Sequence, residues 1–192
     1  RLITLTWNDD NCFGHPHAKD AGRMQLGLTP FGKEAVTYMT ERGILVDVSH
    51  LSDGGFYDVA ELVKGPFVGS HSNCRELAPA TRNLTDDMIR ILAEHGGVCG
   101  LNFYPPFLNT DPVDKVSRIE RMCEHVKHLV NVGGIECVGI GTDFDGIEGN
   151  LEIADCMEME KLFDALQKKG FCEDDIERIA YKNVERVIRE VM

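Results

Sequence analysis

Ile44-Leu-Val-Asp-Val-Ser-His50 and Pro66-Phe-Val-Gly-Ser-His71 are two short apolar runs, each closed by a histidine. A run of this length, rich in β-branched and aromatic residues, reads as a buried parallel strand. Where such a run stops at a polar residue, that residue emerges at the strand's C-terminal end, the place where parallel α/β proteins bind metal and substrate. The pair predicts half of a metal site at the mouth of a parallel sheet.

Outward from this pair, further strands are predicted at Leu2 to Trp7, Val98 to Tyr104 and Cys137 to Phe144. Helical patterns lie between them. Thr29-Pro30 is a cap followed by a first-turn proline, Ser52 and Thr85 cap two more helices, and Asp111-Pro112 is expected to open the longest. Two further helical stretches, about Cys156 to Lys169 and Glu173 to Val191, close the chain. Regular alternation of strand and helix requires right-handed crossovers and leaves an open doubly wound sheet or a barrel. The recurrence of polar residues at successive strand ends, with no Gly-x-Gly-x-x-Gly phosphate turn, favours a (β/α)8 TIM-like barrel. The chain is expected to supply about the last five βα units, as a single catalytic-barrel domain over residues 1–192. Arg1-Leu-Ile-Thr-Leu-Thr-Trp7 reads as a strand already under way, so the N-terminal strands are expected upstream of it.

Composition narrows the partners. At 192 residues and 43% hydrophobic the chain is large enough for one sizeable core. Lys plus Arg number 20 against 32 Asp plus Glu, a net charge of −12 without a basic stripe, which argues against nucleic acid. Seven cysteines with no Cys-x-x-Cys pair are read as reduced packing residues in a reducing compartment. No stretch reaches the roughly 20 apolar residues of a membrane span. A cytoplasmic protein is expected.

Strand alternation puts His50 on the face of Val46 and Val48, and His71 on that of Phe67 and Gly69. Two imidazoles at matched heights on neighbouring strands suit one or two zinc ions. In Cys137-Val-Gly-Ile-Gly-Thr-Asp143, the carboxylate of Asp143 closes a narrow strand and is the candidate acceptor of a proton from a metal-polarised water. Asp145 and Gly146 are assigned to a turn. Arg82 lies in a loop before a helix, near the same mouth, where its planar fork suits a substrate carboxylate. His15 and His17, in Gly14-His-Pro-His17, read as surface residues, and His95, His125 and His128 as structural ones. No Gly-x-Ser-x-Gly elbow or catalytic cysteine points to a covalent acyl-enzyme.

Thr4-Leu-Thr, Val46-Asp-Val-Ser-His50, Gly69-Ser-His71-Ser, Thr81-Arg-Asn-Leu-Thr-Asp-Asp87, Asn102-Phe-Tyr104 and Gly141-Thr-Asp143-Phe-Asp-Gly146 resemble, in order and spacing, the membrane (renal) dipeptidase family of zinc peptidases. The resemblance runs nearly end to end. It implies an amidohydrolase-like barrel with two zinc ions per complete site, in which a bridging hydroxide attacks the peptide carbonyl of a dipeptide. It likens His50 and His71 to two ligands of the second zinc, Arg82 to the residue gripping the substrate's C-terminal carboxylate, and Asp143 to the proton-transferring aspartate. Asn102, Tyr104 and Phe107 fall where the family lines its substrate pocket. The family's other ligands, a His-x-Asp pair on the opening strand and a bridging glutamate, are absent from this stretch and are expected from a missing N-terminal segment. Trp7 stands where mammalian members carry a histidine. A homodimer is compatible with this reading. Alternatives are a related barrel amidohydrolase acting on N-acyl amino acids or lactones, and a non-catalytic remnant of the fold.

Overall fold

In the computed structural model, which describes residues 1–111 and 113–192, every predicted strand and its parallel neighbour are present. In chain order the strands are β1 (Leu2–Thr4), β2 (Leu45–Asp47), β3 (Val68–Ser72), β4 (Val98–Leu101), β5 (Val116–Ser117), β6 (Val138–Ile140) and β7 (Asn150–Leu151). The helices are α1 (Ala21–Met24), α2 (Pro30–Glu41), α3 (Asp53–Leu62), α4 (Asp86–Glu94), α5 (Pro105–Leu108), α6 (Ile119–Gly133), α7 (Glu160–Lys168), α8 (Glu173–Glu177) and α9 (Asn183–Val191). Five strands form one all-parallel sheet in the order β1-β2-β3-β4-β6, while β5 and β7 pair in a separate small ribbon. Parallel strands laid down in sequence order with helices between them are the arrangement of a TIM-like barrel, of which this chain contributes five strands.

The caps work as the sequence suggests. Thr29, Ser52 and Thr85 each accept a hydrogen bond from the backbone N–H three residues on, satisfying an otherwise orphaned donor at the start of α2, α3 and α4. Gly96, at φ +71°, turns the chain out of α4 into β4, a conformation costly to any residue with a Cβ.

The helices cover one face of the sheet. Val46, Val48, Phe67, Cys99 and Leu101 point outward into the helical layer, where Phe67, Cys99 and Leu101 are fully buried. Each large apolar side chain so buried contributes about 1.5–3 kcal/mol. On the inner face, Leu45, Val68 and Val98, at the starts of β2, β3 and β4, pack with Val187 of α9 and form an apolar floor. Above that floor the interior turns polar at Asp47 and Ser70, and above these lies the mouth.

Two expectations are corrected here. The longest helix begins at Ile119, not at Asp111-Pro112. The stretch between is drawn into the ribbon with Asn150–Leu151 instead, and Pro112 itself lies outside the described residues. Simple alternation does not carry the two histidines to the mouth. Strand β2 ends at Asp47 and a tight turn, with Leu51 N–H donating to Val48 O at 2.9 Å, swings His50 around. In β3 the register shifts between Gly69 and Ser72, a bulge that re-aims His71. Among the described residues no helix is long and apolar enough to cross a membrane.

Candidate functional site

Five of the seven predicted site residues meet around a cavity of about 410 Å³ at the C-terminal ends of the strands, which His50, Arg82, Tyr104, Phe107 and Asp143 line together with Trp7. An adjoining cavity, also of about 410 Å³, brings His50, His71 and Asp143 together beneath Trp7. The turn and the bulge set the two histidines edge to edge, with Nε2 of His50 2.9 Å from Nε2 of His71. On the far side of each ring the other nitrogen is engaged. His71 Nδ1 lies 2.7 Å from Ser70 Oγ, and His50 Nδ1 lies 3.3 Å from Asn8 Oδ1.

Burial, with Arg82 second, pushes His50 down to about 3 and holds His71 below the ordinary histidine range. At neutral pH both rings are therefore neutral, each keeping a single N–H. Neutral imidazoles with Nε2 atoms converging on one point are a donor set suited to a divalent cation, and each is braced from behind as metal-ligating histidines are. The residues therefore fit a metal. They do not complete its shell: among the described residues no group of three or more His, Cys, Asp or Glu side chains converges as a metal cluster.

Asp143 lies beyond the end of β6 with φ at 62°, in the left-handed region that aspartate tolerates better than most non-glycine residues and that serves tight turns. The turn is closed by Gly146 N–H donating to Asp143 O at 2.9 Å. Asn102, expected on the pocket wall, is fully buried beneath it. Its Nδ2 donates to Asp143 Oδ2 at 3.1 Å and to His71 O at 3.3 Å, while its Oδ1 accepts from Tyr104 N–H at 2.7 Å. It holds Asp143 rather than facing the cavity.

Arg82 is placed by a tightly anchored loop. Arg75 makes two 2.7 Å hydrogen bonds to the carboxylate of Asp53 at the start of α3, and donates to Asn83 O. Asn83 Nδ2 donates to Ala78 O and Phe107 O, each at 2.9 Å. So held, the Arg82 guanidinium sits 5.4 Å over the Phe107 ring, and its Nη2 donates to His71 O at 3.3 Å. Its Nη1 is buried and has no hydrogen-bond partner among the described residues. Burial pushes the group down to about 10, which still leaves it a cation at neutral pH.

His17 corrects its surface reading. It lines the cavity, its Nδ1 is 2.9 Å from Thr81 Oγ1, and burial followed by Arg82 brings it down to about 4. The proline between His15 and His17 obscured this in the sequence, although an insertion after the first strand lands at the same mouth by topology. Asp47 is the other residue missed. It is fully buried and accepts five hydrogen bonds, from Ser49 N–H and Oγ, Ser70 N–H and Oγ, and Thr4 Oγ1. A carboxylate inside an otherwise apolar run is its sequence signal, since such a group is buried only when fully paired.

Comparison with known proteins identifies the family. Residues 1–192 match the family described as membrane dipeptidase, peptidase family M19. An uncharacterized dipeptidase of Schizosaccharomyces pombe is 34% identical over 190 residues, covering 97% of this chain and 45% of that protein. An uncharacterized Klebsiella pneumoniae protein in the pqqA 5′ region is 32% identical over 198 residues, covering all of this chain and 72% of that one. Among solved structures, a Rhodobacter sphaeroides metallopeptidase liganded with a phosphinate mimic of the dipeptide L-Ala-D-Ala superposes with a TM-score of 0.93 at 31% identity, covering 100% of this chain and 56% of that one. The chain thus spans about half the length of the yeast dipeptidase and of that solved peptidase.

Proposed function

Because the chain belongs to the membrane dipeptidase family, peptidase family M19, whose members are metallopeptidases, we propose that the protein containing it hydrolyses dipeptides at a two-zinc centre. Residues 1–192 then form one catalytic-barrel unit that grips the substrate and supplies two of the metal ligands. The observation that carries this reading is the 2.9 Å approach of the His50 and His71 Nε2 atoms at the strand ends.

His50 and His71 hold zinc in this reading, with the remaining ligands coming from a segment upstream. When bound, the metal supplies Lewis acidity that polarises the scissile carbonyl and makes a water acidic enough to attack near neutral pH. Asp143 takes the proton from that water and returns it to the leaving amine, while Asn102 fixes its carboxylate in the required orientation. Arg82 binds the substrate's C-terminal carboxylate through its unpaired Nη1. Tyr104 and Phe107, their rings edge-to-face at 4.9 Å, form the apolar wall beside it, and Trp7 forms the rim. The buried Nη1 of a guanidinium is met more strongly by a carboxylate, which an N-acyl amino acid also offers, than by the neutral carbonyl of a lactone.

Assay of the full-length protein with a dipeptide panel that includes L-Ala-D-Ala, alongside N-acyl amino acids and lactones, tests the reading. Dipeptide turnover should vanish on chelation, return with zinc and accompany about two zinc ions per site. Equal dipeptide cleavage in the metal-free protein overturns it.

A further inference from the structure

Ser70 Oγ stands between two partners, 2.6 Å from Asp47 Oδ2 and 2.7 Å from His71 Nδ1. A serine hydroxyl has one hydrogen, and an aspartate carboxylate is acceptor-only. The Ser70 hydrogen is therefore spent on Asp47, and toward His71 the oxygen is left with lone pairs. His71 Nδ1 must be the donor in that contact, so its hydrogen sits on Nδ1 and its Nε2 carries a bare lone pair. Ser49 does not disturb the sequence, because its own hydroxyl is 2.7 Å from Asp47 Oδ1 and is spent there. Two backbone N–H groups, of Ser49 and Ser70, also fix Oδ1 as an acceptor, at 3.1 Å and 2.9 Å.

We propose that Asp47, acting through Ser70, is a positioning residue that sets the tautomer of His71, keeping Nε2 free and turned toward His50 for the metal. The inference rests on the dipeptidase reading for the identity of the metal, while the tautomer itself follows from the hydrogen-bond chain alone. Asp47 touches neither metal nor substrate. What it supplies is the direction of one hydroxyl hydrogen, and with it which imidazole nitrogen is available.

The chain of donors makes one substitution diagnostic. In Asp47→Asn the two backbone donors still require an oxygen at Oδ1, so the new NH₂ group falls at the Oδ2 position beside Ser70. It donates to Ser70 Oγ, the Ser70 hydrogen turns to His71 Nδ1, and His71 switches to the Nε2–H form, which places a hydrogen where a ligand lone pair is needed. Ser70→Ala breaks the chain without reversing it. Thr4→Val removes another donor from Asp47 Oδ2, one 2.6 Å away, and leaves the Ser70–His71 contact intact.

The experiment is ¹⁵N-histidine NMR of the chelator-treated full-length protein, with His71 assigned by its loss in His71→Ala, followed by zinc titration. The wild type and Thr4→Val should show Nδ1–H, Asp47→Asn should show Nε2–H, and Ser70→Ala a mixture. Zinc affinity should fall about 10- to 100-fold in Asp47→Asn and change little in Thr4→Val. An Nε2–H signal in the wild type overturns the proposal outright, as does retention of Nδ1–H in Asp47→Asn. Should Asp47→Asn fail to fold, an undiluted Nδ1–H signal in Ser70→Ala overturns it equally. A wild type with Nδ1–H that takes up no zinc refutes the metal reading and leaves the tautomer assignment standing.

Discussion

Arg82 faces the cavity with one guanidinium nitrogen already spent on His71 O and another, Nη1, buried without a partner among the described residues. An unpaired buried donor costs about 1–3 kcal/mol, and a ligand anion recovers that cost on binding. Arg82→Lys keeps the charge and loses the fork, so KM for a dipeptide should rise roughly 10- to 100-fold, matching a charge-assisted hydrogen bond, with a smaller effect on kcat. Steady-state kinetics checks this, and an unchanged KM removes Arg82 from the substrate site. Asp143→Asn separates proton transfer from metal binding. It keeps the side chain's shape but cannot take a proton, so kcat should fall by about 10²- to 10⁴-fold while zinc content, measured by elemental analysis, is preserved.

At the scale of elements, the β3 bulge is what aims His71, and its neighbours are cut to fit. The Ser70 carbonyl presses across the sheet to where a Cβ would stand 2.0 Å away on Gly100 and 1.9 Å away on Gly141. Gly141→Ala forces the backbones of Ser70 and residue 141 apart, which disturbs the strand segment that aims His71. It should cost about 1–3 kcal/mol in urea denaturation and weaken zinc binding as well, whereas Gly65→Ala, with open space at its Cβ, should do neither. Helix α6 carries a separate pH dependence. His125 is fully buried, with Nδ1 accepting from Cys74 N–H and Nε2 donating to Leu108 O, and burial brings it down to about 4. The unfolded chain protonates near 6.5, so this contribution is complete above that pH and is lost as pH falls toward 4. Between pH 7 and 5 the wild type should lose on the order of 1–2 kcal/mol more stability than His125→Gln. Such elements were legible to different depths. Strand order, caps and most helix bodies follow from periodicity and cap residues, which are local signals. The bulge, the start of α6 and the place of His17 are not local, because each is decided by what a neighbouring strand or loop leaves room for.

Across the whole molecule the interior is graded, from an apolar floor of Leu45, Val68, Val98 and Val187 through Asp47 and Ser70 to the paired histidines at the mouth. The apolar runs announced the floor and the histidines announced the rim. The layer between was hidden, since a lone aspartate in a strand gives no hint of its five partners until the sheet is assembled. This gradient ties metal to folding: a cation bound by converged histidines of the native barrel has no equivalent site in the open chain, so it stabilises the native state by mass action. Free zinc at 100 times its dissociation constant should add about 2.7 kcal/mol to the full-length protein, with a Tm that climbs as zinc is raised and falls back on chelation. His71→Ala removes one of the two donors and should flatten that dependence while retaining a cooperative transition in calorimetry. A zinc-dependent Tm of undiminished size in His71→Ala would place the stabilising ion elsewhere in the molecule.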